Sequence, residues 1–86
     1  MARLSDRWLI QQIGDDDGTV IVFEEGTEAE VARWKAGDRA SIGEGLNAVH
    51  ASDQLTDDEK AMAVFWAGYF YAHAANGGPP YQVVAV

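Results

Sequence analysis

Apolar residues recur along this chain in more than one rhythm, and each rhythm predicts a different kind of element. The longest apolar stretch, Ala61 to Ala75, holds no residue that is charged at neutral pH. Before it stands Thr56-Asp57-Asp58-Glu59, a capping box in which threonine and glutamate satisfy each other's free backbone donors. After it comes Asn76-Gly77-Gly78-Pro79-Pro80, which suits a left-handed cap and then forbids continuation. The pattern predicts one helix over 56–75. At 100° per residue, Met62, Phe65, Trp66, Tyr69, Phe70 and His73 share a bulky arc, the expected core face. Ala61, Val64, Gly68, Tyr71, Ala72 and Ala75 lie mostly opposite, on a smaller-residue arc open to close approach. A helix that is apolar all round has to be enclosed by something. The uncharged run falls short of the roughly 18–20 residues a bilayer span needs, and acids rather than basic anchors flank it. A buried helix in a soluble domain, with no membrane association, is the expectation.

Upstream, Trp8 to Ile13 and Thr19 to Glu24 are rich in β-formers, and Gly14-Asp15-Asp16-Asp17-Gly18 between them supplies turn chemistry, so the pair predicts a hairpin. Thr27-Glu28-Ala29-Glu30 has the form of a second capping box, with Val31 and Trp34 as a short apolar face, and predicts a helix closing at Ala36 before Gly37. Ile42, Leu46 and Val49 predict another helix from Ser41 to Ala51, although Gly43 and Gly45 each cost about 1 kcal/mol against alanine. Tyr81 to Val86 reads as a final apolar strand, pairing with the first strand or presenting an edge to another chain. The expected fold is α+β: a small antiparallel three-stranded sheet in the order β-β-α-α-α-β, with helices packed on one side. Residues 1–86 form a single domain on this reading.

Charge changes the picture more than composition does. Fourteen acidic residues against six basic ones give a net charge of −8. Such a field repels phosphate backbones and argues against direct nucleic-acid binding. It suits a basic partner, or imitation of a polyanion, or simple solubility. No cysteine is present, which removes disulfides and thiolate metal sites. No secretory signal is visible, and a cytoplasmic location is expected.

Candidate chemistry is sparse. The three aspartates Asp15, Asp16 and Asp17 lack the alternating oxygens and the distant glutamate of a calcium loop. Gly43-Glu44-Gly45 lacks the basic residue and the preceding strand of a phosphate loop. His73 shares the bulky arc with Tyr69, but no serine or carboxylate is tied to the pair by spacing. His50 has Asp53 nearby without a His-x-x-x-His arrangement, so no metal and no cofactor is expected. A small metal- or histidine-dependent enzyme built on His50 or His73 and Tyr69 is the least favoured of three functional readings.

Fourteen alanines and nine glycines against two lysines, the short length and the dense Phe65-Trp66-Ala67-Gly68-Tyr69-Phe70-Tyr71 block give the chain a compositional character. In that character it resembles small acidic single-domain proteins of bacteriophages, particularly those of high-GC actinobacterial hosts. The resemblance implies a protein that binds or inhibits a host protein, and some such proteins imitate DNA. The residues themselves favour a non-enzymatic protein-binding domain that self-associates as a homodimer, because so short a chain struggles to hide a helix apolar on every side. Trp66, Phe70, Tyr71, Tyr81 and Val83 are the expected interface residues. The alternative is a polyanion mimic whose acidic surface, Asp15, Asp16, Asp17, Glu24 and Glu25, occupies a basic groove.

Overall fold

The computed structural model describes residues 2–13 and 18–76. Four strands come first, β1 (Ala2–Arg3), β2 (Trp8–Ile13), β3 (Thr19–Glu24) and β4 (Glu30–Lys35), and two helices follow, α1 (Arg39–Ala51) and α2 (Asp57–Asn76). The strands make one antiparallel meander in the order β1-β2-β3-β4, so the fold is α+β. The β2–β3 hairpin has the predicted bounds, with Trp8 opposite Glu24 and Ile13 opposite Thr19. Its register, continued by Val20 opposite Trp34 and Val22 opposite Ala32, sets Trp8, Ile10, Val20, Val22, Ala32 and Trp34 on one face. These residues are buried together with Val49 of α1, Leu55, and Ala63 and Ala67 of α2. α1 lies against β4 and α2 against β2, and the two helices touch each other.

Three expectations need correction. The helix predicted over 27–36 is instead a turn followed by β4. Thr27 does not cap a helix: its hydroxyl donates to Glu24 Oε1 at 2.8 Å and accepts from the Ala29 amide at 3.2 Å. Gly26 and Glu28 take positive φ, 97° and 61°, to complete the reversal. Along β4 the burial then alternates, with Ala32 and Trp34 buried and Arg33 and Lys35 exposed, which is the period of a strand. Among the described residues the sheet therefore has four strands, β4 replacing the first of the expected helices, and two helices follow, so the β-β-α-α-α-β order does not hold. β1 pairs with part of the free flank of β2, with Ala2 opposite Ile10 and Arg3 opposite Leu9. Tyr81 to Val86 lies outside the described residues.

The third correction concerns which side of α2 is inside. The helix begins as predicted, with the Thr56 amide donating to Glu59 Oε1 at 2.7 Å and the Glu59 amide donating to Thr56 Oγ1 at 3.1 Å. But the residues it buries are Glu59, Ala63 and Ala67, spaced one turn apart. The bulky arc is not the core face. Trp66 and Phe70 flank the buried stripe and are half-buried against the core, whereas Phe65 is 61% exposed, Val64 43% and Met62 38%. Two large residues already on the sheet, Trp8 and Trp34, fill the layer beneath the helices. Only a line of alanines can then approach closely enough to seal it.

α1 meets the same constraint. A Cβ added to Gly45 would lie 2.3 Å from Cε3 of Trp34 and 2.9 Å from its Cβ, so the glycine is the space in which the indole sits. α1 starts two residues before the predicted Ser41 because Asp38 caps it, accepting from the Ala40 and Ser41 amides at 3.0 and 3.2 Å.

Candidate functional site

The surface with most claim to function is the outer side of α2. Met62, Val64 and Phe65 are exposed there, and Phe65 leads into a ladder of rings on the adjoining flank. Phe65 meets Trp66 edge-on at 5.3 Å between centroids, Trp66 meets Tyr69 edge-on at 5.2 Å, and Tyr69 meets Phe70 at 5.6 Å. Such offset and edge-on pairs hold the rings in fixed orientations. From Ala61 to Ala74 no residue carries a charge at neutral pH. The result is an apolar surface on a rigid element, of the kind that marks an interaction site. Two buried polar atoms on this helix, Nε1 of Trp66 and Nδ1 of His73, have no hydrogen-bond partner among the described residues.

On the other side of the outer face, α1 and α2 diverge and leave a groove of about 300 Å³, lined by Arg39, Ile42, Leu46, Val64, Ala67, Gly68 and Tyr71. Arg39 stands at its edge, its Nε donating to the Tyr71 hydroxyl at 3.3 Å and its guanidinium carbon 5.7 Å from the centre of the Tyr71 ring.

Of the interface residues expected from the sequence, Trp66, Phe70 and Tyr71 lie on α2 and are half-buried. Trp66 and Phe70 pack inward against the core, and Tyr71 is engaged by Arg39. Tyr81 and Val83 lie outside the described residues. Among the described residues Phe65, Met62 and Val64 are the exposed large apolar ones, and none of them is among the interface residues expected from the sequence. Their exposure follows from the burial of Ala63 and Ala67 on the other side of the helix, a choice of face that the periodicity of a wholly apolar helix does not reveal.

The acidic surface divides in the same way. Asp15, Asp16 and Asp17 lie outside the described residues. Glu25 is held by Arg3 through two hydrogen bonds of 3.1 and 3.0 Å, and Glu24 is paired with Arg7. The Thr27 hydroxyl and then Arg7 hold the Glu24 carboxyl below its ordinary pKa, and Arg3 does the same for Glu25. Each of these negative charges has a local counter-charge, so neither presents a free carboxylate to a basic groove.

Among the described residues Glu59 is the one buried acid, 8% exposed. Burial pushes its pKa up, but hydrogen bonds from the Ser5 hydroxyl and from the amide and hydroxyl of Thr56, with help from Arg7, outweigh that and hold it below the ordinary carboxylate value. Ser5 also accepts from the Arg7 and Trp8 amides, both at 3.2 Å. The turn between β1 and β2 is thereby clipped to the start of α2. That is a structural role. His50 is exposed and its carbonyl accepts from Lys60 Nζ at 2.9 Å. Among the described residues no three His, Asp or Glu side chains gather as a metal site would require, and no helix is long and apolar enough to cross a membrane. Comparison with family models, with curated proteins and with solved structures gives no match.

Proposed function

We propose that this protein is a non-enzymatic protein-binding domain that self-associates through the outer face of α2. One observation carries the reading: the helix turns Ala63 and Ala67 into the core and leaves Phe65 61% exposed beside Met62 and Val64. Full burial of a large apolar side chain is worth about 1.5–3 kcal/mol, so covering these three supplies a driving force of several kcal/mol. A second copy is the occupant best matched to a face without charges. An uncharged helix can lie against itself across a two-fold axis without opposing like charges at the contact, and two-fold dimers are the commonest assembly. The bacteriophage-like composition would make a host protein the natural further partner, bound through the same kind of surface.

Light scattering of the purified chain at micromolar concentration tests the reading. Wild type is expected at twice the chain mass. Phe65→Glu is expected as a monomer whose far-ultraviolet circular dichroism matches wild type, because that side chain contributes little to the core. A monomer mass for wild type would overturn self-association.

A further inference from the structure

We propose that the groove between α1 and α2 binds a small amphiphilic carboxylate, with the apolar body on Ile42, Leu46, Val64 and Ala67 and the anionic head on Arg39. The groove's volume, about 300 Å³, lies at the lower end of the range for small-molecule sites, whose walls are mostly apolar with a few placed polar groups. A shallow crease where two helices part would account for the volume alone. It does not account for two residues of the lining.

The first is Gly68. A glycine in the middle of a helix costs about 1 kcal/mol against alanine. Gly45 repays that cost by making room for Trp34, but a Cβ on Gly68 would meet nothing within 4 Å. No neighbour requires the glycine. What its missing side chain provides is depth in the groove wall.

The second is Arg39. The chain has four arginines, and Arg3, Arg7 and Arg33 are each paired with a glutamate. Among the described residues Arg39 has no carboxylate partner; its Nε is committed to Tyr71 and the ring packs near the guanidinium plane. That contact orients the group while leaving both Nη nitrogens for a bidentate hydrogen bond, the geometry that suits a carboxylate. A single cation matches a monoanion. A phosphate dianion would need more positive charge than this wall offers, on a protein whose net charge is already −8.

The site shares only Val64 with the face proposed for self-association, and Phe65 and Met62 are not part of its lining. Octanoate and octanol, kept below the concentration at which octanoate forms micelles, serve as probes in calorimetric titrations of the full chain. Octanoate is expected to bind at least tenfold more tightly than octanol, and Arg39→Gln to reduce octanoate to the level of octanol. Gly68→Leu fills the groove from within and is expected to abolish binding of both. Phe65→Glu keeps every residue of the lining and is expected to bind octanoate at least as tightly as wild type, because a monomer leaves Val64 open to the groove. Amide chemical shifts of unaltered protein provide a check free of mutations: octanoate is expected to move those of residues 39–46 and 64–71. No octanoate binding, equal affinity for the two probes, or shifts centred elsewhere would each overturn the proposal.

Discussion

At the scale of single residues, two glycines of the helical layer make opposite predictions from the same chemistry. Alanine at either position gains about 1 kcal/mol of helix propensity. At Gly45 the new methyl would collide with Trp34, and overpacking of this kind costs about 1–3 kcal/mol, so Gly45→Ala is expected to lower the urea midpoint. At Gly68 nothing is in the way, and Gly68→Ala is expected to raise it. Equal shifts in the same direction would mean that Trp34 does not sit against α1. Glu59 makes a prediction about pH. Its folded-state pKa is depressed, so its contribution to stability is complete above the unfolded value of about 4.3 and is lost as pH falls through the lower folded value. Wild type should therefore be more stable than Glu59→Gln in urea at pH 7, and the gap should close in strongly acidic buffer. A gap that widens on acidification would show that burial, rather than the Ser5 and Thr56 hydrogen bonds, dominates at that carboxyl.

At the scale of elements, β4 is the place where sequence reasoning went astray, and the reason is specific. Thr27 and Glu30 have the spacing of a capping box, but the hydroxyl turns back to Glu24, and Gly26 and Glu28 with positive φ reverse the chain. The better clue was the alternation of Ala32, Trp34 and Ala36 with Arg33 and Lys35, which fits a strand half-buried on a sheet. Trp34→Ala tests that assignment. It removes a side chain shared by β4 and α1 and is expected to cost about 3–5 kcal/mol, near the whole stability of a domain this small. An exposed helical Trp34 would cost far less. The β2–β3 hairpin was legible from its two runs of β-formers, and the start of α2 from the cap made by Thr56 and Glu59. The orientation of α2 was not: on a helix apolar on every side, periodicity does not choose a face. The choice is made by Trp8 and Trp34 on the opposing sheet. Of the residues expected at an interface, Trp66 and Phe70 are half-buried, while Phe65 stands furthest out.

At the scale of the whole molecule, an acidic surface and an uncharged helix face pull association in opposite directions, and salt separates them. Two copies each carrying −8 repel one another, and added salt screens that repulsion without weakening apolar contact. Dimerisation through α2 is therefore expected to strengthen between low and moderate ionic strength, as read by the concentration dependence of the scattering mass. A complex held by acids in a basic groove would weaken over the same range.

All of this depends on which way α2 is turned, and the absence of cysteine from the chain allows that to be read residue by residue. Single cysteines at Met62, Ala63 and Ala67, each in the Phe65→Glu background so that no second copy shields them, can be followed by their rate of thiol labelling under native conditions. The account predicts that Met62→Cys reacts nearly as fast as in the unfolded chain, while Ala63→Cys and Ala67→Cys react only as fast as the protein opens. Fast labelling at Ala63 and Ala67 with protection at Met62 would put the large residues inside and contradict it.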